Sequence, residues 1–366
     1  MLTIKDLNIF DEHTDVLVEN ASFDCYPGKI TGVVGESGSG KTLTMLAVMG
    51  LLPNKINMRS QAITWYEQDL TLLSEKEYCQ WRGNKVSMIF QDPMNAFNPL
   101  HTVGRQIAEM LKVHRYNNDI KKKVLNLLKE VEFDNPETIY AAYPHELSGG
   151  QQQRALIAMA IANNPEILIA DEPTTALDSY SKNQILDLLK KVMIEHDMCL
   201  IIVSHDIASI MKYADQLVVM RSGQVLEFRP TEEILMDPQV AYTQSLLEPR
   251  PCLVENTVSE EQALTVKDLT VRFKTSKVFS FETTQQSAIK SMSFDLKQGE
   301  CLGVIGQSGA GKTTLAKSLL KLLPIDGEIL LKGLNWSQLS QRANKPNNVN
   351  KYNVPSTTGK SRCNVA

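Results

Sequence analysis

The feature that most constrains this chain is a long segment that occurs in it twice. Residues 22–42 read SFDCYPGKITGVVGESGSGKT and residues 293–313 read SFDLKQGECLGVIGQSGAGKT, so the two copies align without gaps at an offset of 271 residues (293 minus 22). The same offset carries the Leu-Leu-Pro at 51–53 onto the Leu-Leu-Pro at 322–324. Solenoid repeats have periods of about 20–50 residues. The much longer period therefore indicates a duplicated domain start.

Composition limits the class of protein. The length of 366 residues favours two domains, and 43% hydrophobic with 22% charged residues is typical of a globular chain with a buried core. A net charge of −4 argues against a nucleic-acid-coating protein. The six cysteines are scattered without a C-x-x-C pair, which argues against a zinc site or a disulfide framework. No apolar run reaches the roughly 18 residues of a membrane helix and the N-terminus lacks a signal pattern, so we expect a soluble, cytosolic chain.

The first copy contains a pattern that predicts phosphate binding. Eight residues fit G-x-x-x-x-G-K-[ST] between a predicted strand, ITGVVG, and a predicted helix, LTMLAVMGLL. They are Gly35, Glu36, Ser37, Gly38, Ser39, Gly40, Lys41 and Thr42. Glycines let backbone N–H groups surround phosphate oxygens. Lys41 can reach the β- and γ-phosphates and the Thr42 hydroxyl can bind Mg²⁺, so the loop predicts a nucleotide site.

Two carboxylates end a later buried strand. Asp171 and Glu172 follow the apolar run at 167–170, and α/β sheets bind ligands at the carboxyl ends of their strands. Asp171 suits Mg²⁺, and Glu172 could polarise an attacking water as a general base. In isolation the fragment is better interpreted as an acidic strand end that caps the next turn. Its combination with the phosphate loop favours the catalytic interpretation.

A third motif, Leu-Ser-Gly-Gly-Gln at 147–151, leads into the helical pattern QQQRALIAMAIA. Ser148, Gly150 and Gln151 would form a second anion site at a helix N-terminus. Because two such helix starts of one domain cannot easily grip one nucleotide, this site is a candidate for binding a neighbour's nucleotide.

The order of predicted elements indicates an α/β fold. The buried-strand runs EILIAD and CLIIVSH are separated by the helical pattern SKNQILDLLKKVMIEH, which predicts a mostly parallel sheet. A helical insertion is expected at about residues 98–147, and a Pro-containing linker at 251–262. Residues 1–250 are thus expected to form one complete domain.

These motifs carry a clear family resemblance. Residues 1–250 resemble an ATP-binding subunit of an ABC transporter, through YPHELSGGQQQRALIAMAIANNPEILIADEPTTALD. FQDPMNAFNP, VGRQIAE and the later DPQVAYTQSLLEP are similar to the dipeptide, oligopeptide and nickel importer branch. The resemblance implies a P-loop NTPase core with a parallel sheet, an antiparallel N-terminal β subdomain and a helical insertion. The second copy resembles the start of the partner ATPase of the same system, as in a head-to-tail fusion.

The resemblance also implies roles for individual residues. Gln91 would sense the γ-phosphate and Mg²⁺, Glu172 would be the catalytic base, and His205 would contact the γ-phosphate. Asp178 would cross a dimer interface, and Ser148, Gly150 and Gln151 would close over a partner's ATP. Without the family, His205 is better interpreted as a structural histidine, and Phe10, a candidate for stacking on adenine, is equally a core residue.

The resemblance further implies cofactors, partners and location. ATP and Mg²⁺ would be bound between two ATPase domains, as a homodimer or a heterodimer. Transmembrane permease subunits would be direct partners, an extracellular solute-binding protein an indirect one, and nucleic acid none. The chain would lie peripherally on the cytoplasmic face of the cell membrane.

The second copy repeats only the beginning of the first. Gly306, Gly311, Lys312 and Thr313 match the phosphate loop, but no counterpart of Gln91 occurs near 357–362, and similarity ends at about 341–345. We therefore expect 263–343 to be a truncated second ATPase domain with exposed apolar surface, and 344–366 to be a disordered tail. Lys312 is expected to perform no hydrolysis.

Two other functions remain open from the sequence. The chain could be an ATP-binding remnant or regulatory module that drives no transport. A tandem ATPase acting on ribosomes or damaged DNA is disfavoured by the acidic balance and by the missing second Leu-Ser-Gly-Gly-Gln motif.

Overall fold

The structure is a computed structural model that describes residues 1–175, 177–248, 258–276, 283–306 and 309–335. The chain divides into two compact units, Met1–Pro251 and Cys252–Ala366. Most of the predicted linker and all of the predicted tail at 344–366 lie outside the described residues.

The first unit consists of strands and helices that alternate over much of its length. Its strands are β1 (Leu2–Phe10), β2 (Val16–Cys25), β3 (Ile30–Val34), β4 (Asn57–Arg59), β5 (Ala62–Trp65), β6 (Gln68–Asp69), β7 (Val86–Ile89), β8 (Ile167–Asp171), β9 (Cys199–Ser204), β10 (Gln216–Arg221) and β11 (Gln224–Pro230). Its α-helices are α1 (Lys41–Val48), α2 (Glu75–Trp81), α3 (Pro93–Ala96), α4 (Val103–Val113), α5 (Ile120–Glu130), α6 (Pro136–Ala141), α7 (Gly149–Ala160), α8 (Ser179–His196), α9 (Ile207–Ile210), α10 (Thr231–Met236) and α11 (Ala241–Leu247). Short 3-10 helices cover Leu70–Leu72 and Pro144–Glu146.

One curled sheet joins these strands in the order β6-β5-β1-β2-β11-β10-β3-β9-β8-β7, with β4 paired to β1. The β10, β3, β9, β8 and β7 strands are parallel to their neighbours within that run, and β1 pairs antiparallel with β2, β4 and β5. Every residue of β8 and β9 is buried, as expected for parallel strands covered on both faces. The predicted parallel core with an antiparallel N-terminal part is confirmed.

The parallel strands separate two apolar layers. Along β8, Leu168 and Ala170 belong to the layer that contains α4, α5, α7 and α8, whereas Ile167 and Ile169 face the layer formed by the antiparallel strands and α1. Successive strand residues point to opposite faces, so a run of apolar residues supplies both layers. The core therefore holds the strand ends, and the loops that follow them, in fixed positions.

The stretch predicted to be helical contains α4, α5 and α6. The Thr102 hydroxyl accepts the N–H of Arg105 at the start of α4, and the Asp119 carboxylate accepts that of Lys122 at the start of α5. On α4, buried Val103, Ile107 and Leu111 recur every four residues, which gives the helix one apolar stripe that packs on the core. Among the described residues, no helix is both long enough and apolar enough to span a lipid bilayer.

The second unit has its own small sheet. Its strands β12 (Gln262–Ser276), β13 (Thr283–Lys297), β14 (Asp326–Leu331) and β15 (Leu334–Asn335) pair antiparallel in the order β13-β12-β14-β15, and α12 covers Lys312–Leu319. Its buried apolar core is small: Val266, Leu269, Val271, Ile289, Leu315 and Ile329.

The two copies differ at the segment that precedes the phosphate loop. In the first copy ITGVV forms β3, between β10 and β9, and all five residues are buried. In the second copy residues 301–306 form no strand, and the Ile305 side chain is 95% exposed. The described residues of the second unit include no parallel strand to pair with this segment. The apolar exposure predicted for the second copy is therefore observed.

Candidate functional site

Four neighbouring parallel strands of the first unit end at the same edge of the sheet. The phosphate loop begins at Gly35 after β3, His205 follows β9, Glu172 follows β8, and Gln91 lies two residues after β7. Because β3, β9, β8 and β7 are adjacent and parallel, residues far apart in the sequence meet at this edge.

Two glycines give the phosphate loop its shape. Gly40 has a φ of 94° and caps the N-terminus of α1, a backbone conformation that glycine adopts without steric cost. Gly35 has a φ of 153°, and a Cβ atom there would lie 2.0 Å from the carbonyl oxygen of Met220 on β10. The loop therefore lies directly against β10.

Replacing Gly35 by alanine is expected to lower the free energy of unfolding by about 2–4 kcal/mol, because the new methyl group overlaps a backbone atom that cannot rotate away. Gly38→Ala is the matched control in the same loop, since a Cβ at Gly38 has no neighbour within 4 Å. Its φ of 82° should still cost about 1–2 kcal/mol. Urea unfolding of both variants measures the difference, and equal losses would contradict the contact with Met220.

Lys41 is buried beneath the loop. Its ammonium donates hydrogen bonds to the Gly35 carbonyl at 2.9 Å, the Glu36 carbonyl at 2.7 Å and the Ser39 hydroxyl at 3.3 Å. Burial lowers the pKa of Lys41, and the nearby carboxylates of Glu172, Asp171 and Glu36 oppose that shift. The loop thus holds a cation whose present partners are neutral oxygens, which suits it to bind an anion.

Thr42 and Asp171 lie together beside this cation. The Thr42 hydroxyl donates to the two Asp171 carboxylate oxygens at 3.2 and 2.9 Å. Burial raises the pKa of Asp171, and the hydrogen bond from Thr42 opposes that shift. A hydroxyl and a carboxylate are hard oxygen donors of the kind that Mg²⁺ prefers. No group of three or more His, Cys, Asp or Glu side chains in the described part of the chain is arranged to hold a metal ion. A Mg²⁺ ion here would therefore need phosphate oxygens or water as further ligands.

Glu172 and His205 form a close pair. His205 Nδ1 lies 2.8 and 2.7 Å from the two Glu172 carboxylate oxygens, and the Thr175 hydroxyl also donates to Glu172. Glu172 has a φ of 51°, and its N–H donates to the Val203 carbonyl of β9. A positive φ at a non-glycine residue is uncommon and is enriched at functional sites. This backbone turns the carboxylate of Glu172 toward the end of β9.

Two other predicted site residues lie at or just beyond the ends of strands. Gln91 is exposed just beyond β7. Phe10 is half-buried at the end of β1, where it pairs with Val16 of β2 and Asn57 of β4. The roles of Gln91 toward the γ-phosphate and of Phe10 toward adenine stay predictions.

The Leu-Ser-Gly-Gly-Gln motif forms the start of α7. The Ser148 hydroxyl accepts the Gln151 N–H, and the Gln151 side-chain oxygen accepts the Ser148 N–H at 3.0 Å. Asp178 caps α8 in a similar way, accepting the N–H groups of Tyr180 and Ser181. A cavity of about 440 Å³ lies beside the start of α7, lined by Ser148, Gly150, Gln151 and Arg154, by six residues within 132–139, and by Ser181, Gln184 and Ile185 of α8. Ser148 and Gln151 bond to each other, and Asp178 bonds to Tyr180 and Ser181, so each of these contacts lies within one helix start.

The phosphate loop of the second unit is only partly described, because residues 307 and 308 lie outside the described ranges. Gly311 has a φ of 92° and caps α12, and the Lys312 ammonium donates to the Gly306 carbonyl at 2.5 Å. Lys312 is half-buried and Thr313 is exposed. None of the strands described in this unit ends at a carboxylate residue, in contrast to β8 of the first unit, which ends at Asp171.

Sequence reasoning missed one contact of the phosphate loop. The Glu36 N–H donates to the Tyr242 hydroxyl at 3.1 Å, although the two residues are 206 positions apart. Tyr242 lies in the DPQVAYTQSLLEP segment, which gave a family resemblance but no local sign of this contact. Thr175, which contacts Glu172, was missed as well.

Known proteins resemble this chain in sequence and in fold. The family model described as ABC transporter matches residues 18–175 and again residues 289–356. Solved structures of similar fold include the dimeric post-hydrolysis ATP-binding cassette MJ0796 bound to ADP and Pi, with a TM-score of 0.54 and 27% identity over 63% of this chain and 99% of that one. Another is cbiO1 of the transporter complex cbiONQ from Clostridium perfringens, with a TM-score of 0.55 and 25% identity over 68% of this chain and 96% of that one.

The chain therefore belongs to the ABC transporter family, and its first unit has the fold of an ATP-binding cassette. It is 38% identical to the peptidoglycan transport ATP-binding protein YejF of Agrobacterium fabrum, over 94% of this chain and 65% of that protein. It is 35% identical to the glutathione import ATP-binding protein GsiA of Escherichia coli K12, over 93% of this chain and 61% of that protein. The chain thus spans somewhat less than two thirds of the length of these relatives. Proteins of this family bind ATP with Mg²⁺, and the glycine-containing loop, the buried lysine and the hydroxyl–carboxylate pair fit that ligand.

Proposed function

We propose that the first unit binds ATP with Mg²⁺ and hydrolyses it to energise a transporter that imports a small solute. The observation that carries this proposal is the meeting of three groups at one sheet edge: the buried Lys41, the Thr42–Asp171 pair and the Glu172–His205 pair. A cation for the phosphates, a hard donor set for Mg²⁺ and a carboxylate base are the parts that phosphoryl transfer to water requires.

Each side chain has a separate task in the proposed reaction. Lys41 and the loop N–H groups bind the β- and γ-phosphates, while Thr42 and Asp171 hold Mg²⁺, which neutralises charge on the phosphates when bound. Glu172 orients a water molecule and accepts its proton as the water oxygen bonds to the γ-phosphorus and the bond to ADP breaks. His205 holds the Glu172 carboxylate in position. Gln91 would lie near the γ-phosphate and respond to its presence.

The helix start at Ser148 is proposed to act on a different nucleotide. Ser148 and Gln151 bond to each other at the start of α7, and a cavity lies beside them. Ser148, Gly150 and Gln151 can therefore close over ATP that is bound to another ATPase domain. Asp178 would lie at the interface between the two domains. That partner is a second ATPase domain, from a copy of this chain or from another chain. The assembly would bind transmembrane permease subunits and lie peripherally at the cytoplasmic face of the membrane, and an extracellular solute-binding protein would deliver the solute.

Small peptides are the favoured class of solute. The names of the two relatives concern glutathione and peptidoglycan, both of which contain peptide groups. Nickel or a metal–chelator complex, the other solutes of the branch that the sequence resembles, remains the second candidate.

The second unit is proposed to be the beginning of a second cassette in a tandem arrangement. The second match of the family model, at 289–356, supports this assignment. In this chain Lys312 is proposed to take no part in hydrolysis, because none of the strands described in its unit ends in a carboxylate pair like Asp171 and Glu172. That the second cassette is truncated stays a prediction.

The full chain should hydrolyse ATP in the presence of Mg²⁺, and turnover should rise when its permease partners are present in proteoliposomes. Steady-state phosphate release with and without the permease measures both effects. Nucleotide binding without any permease-stimulated turnover would instead support a regulatory module, and a chain that binds no nucleotide would contradict both functions.

A further inference from the structure

The helical segment after β11 contacts the phosphate loop directly. Tyr242 of α11 is 7% exposed, and its hydroxyl accepts the Glu36 N–H at 3.1 Å. We propose that Tyr242 is a positioning residue for the phosphate loop and that residues 231–248 thereby set the affinity of the site for nucleotide. This inference rests on the proposed function, because it concerns the same loop.

One peptide group, which joins Gly35 to Glu36, makes contacts on both of its sides. Its N–H is held by the Tyr242 hydroxyl, and its C=O accepts the Lys41 ammonium at 2.9 Å. The peptide group is planar and trans, so its N–H and C=O point in opposite directions. Fixing the N–H on Tyr242 therefore fixes the direction in which the carbonyl meets Lys41.

Lys41 is thus linked to α11 through a single rigid unit. The next carbonyl, that of Glu36, also accepts the Lys41 ammonium at 2.7 Å. If the Gly35–Glu36 peptide rotated, Lys41 would lose one partner and the loop would lose the arrangement that receives phosphate. Holding the loop in one conformation before binding reduces the entropy lost on binding.

The tyrosine ring is itself held in place. The guanidinium carbon of Arg221, the last residue of β10, lies 4.7 Å from the ring centroid, a distance typical of a cation–π contact. Because β10 also supplies Met220 against Gly35, the ring and the loop are both placed by the same strand.

The segment that carries Tyr242 is anchored to β11. The Arg229 guanidinium donates to the Asp237 carbonyl at 2.8 Å, and the Gln239 N–H donates to the Glu227 carboxylate at 3.1 Å. Glu227 is only 6% exposed, and Arg229 also donates to it. Buried charged groups with several hydrogen bonds are costly to disrupt, so the segment that leads into α11 is held against β11.

Tyr242→Phe removes only the hydroxyl and is expected to raise both the Kd for MgADP and the KM for MgATP by about 3- to 10-fold, the range of one hydrogen bond. The kcat should change less than about twofold, because Glu172 and His205 are untouched. Tyr213→Phe is the matched control, because the Tyr213 hydroxyl contacts Asp187 at 3.0 Å and not the phosphate loop. This substitution should leave both the Kd and the KM unchanged.

Calorimetric titration of MgADP into the full chain and steady-state kinetics measure these constants. Hydrogen exchange of the Glu36 amide, measured without nucleotide, should be faster in Tyr242→Phe and unchanged in Tyr213→Phe. Arg221→Gln, at an exposed position, should shift the KM in the same direction by a smaller factor. This variant tests the position of the tyrosine ring if the Tyr242→Phe protein does not fold.

The outcomes separate the two proposals. A parental chain that binds no MgADP overturns the proposed function, while Glu36 exchange still tests the tyrosine contact. Parental binding with an unchanged Kd in Tyr242→Phe overturns the inference, as does a fall in kcat at constant KM. Unchanged Glu36 exchange overturns it as well.

Discussion

Replacing Glu172 by glutamine should lower ATP turnover by about 10²- to 10⁴-fold, the usual contribution of a general base, with nucleotide affinity nearly unchanged. The carboxamide has the shape of the carboxylate and can still accept a hydrogen bond from His205 or Thr175 through its oxygen. It cannot accept a proton from water. Single-turnover kinetics and MgADP titration of the same preparation separate the chemical step from binding.

Glu166→Gln is the matched control for this experiment, because Glu166 immediately precedes β8, the strand whose other end leads to Glu172. Its carboxylate accepts the Trp65 indole N–H at 2.6 Å and contacts Lys85, far along the strand from the phosphate loop. Its replacement should leave kcat unchanged. Turnover of Glu172→Gln at the parental rate would remove Glu172 from the role of base.

Replacing Lys41 by alanine should raise the Kd for MgADP by about 100-fold or more, because each charge-assisted hydrogen bond to phosphate contributes about 1.5–3 kcal/mol. Lys312→Ala makes the same change in the second phosphate loop and should alter affinity less than about twofold. Calorimetric titration of the full chain gives both the affinity and the number of sites, for which we expect one per chain.

The paired lysine variants show which of the two phosphate loops binds nucleotide. A large loss in Lys312→Ala, or a second site in the parental chain, would show that the second unit binds nucleotide. Equal losses in the two variants would contradict the assignment of the reaction to the first unit.

Much of the site could be predicted from local patterns. The phosphate loop is recognisable because its glycines are needed wherever a backbone surrounds phosphate, as at Gly40 with its φ of 94°. The strands that end at Asp171 and Ser204 are recognisable because parallel strands covered on both faces have nearly continuous apolar runs. These signals lie within a few residues of one another, so a single sequence is sufficient to reveal them.

Contacts between distant segments could not be predicted in the same way. His205 and Glu172 form a pair only because β8 and β9 are neighbours in the sheet, and Tyr242 reaches Glu36 only because α11 packs against the loop. A hydroxyl 206 positions away leaves no periodicity or spacing in the sequence near the loop.

The two copies of the repeat show that local sequence alone does not decide whether a segment forms a strand. ITGVVG and CLGVIG have nearly the same pattern, and each precedes a glycine-capped helix. By itself the sequence determined two phosphate-loop motifs and the glycine that caps the helix after each, since backbone conformation at glycine is a local property. Only the tertiary structure decided that one segment becomes the buried strand β3 and the other stays exposed. A strand satisfies its backbone hydrogen bonds through its neighbours, and the first unit supplies β9 and β10 on either side of β3.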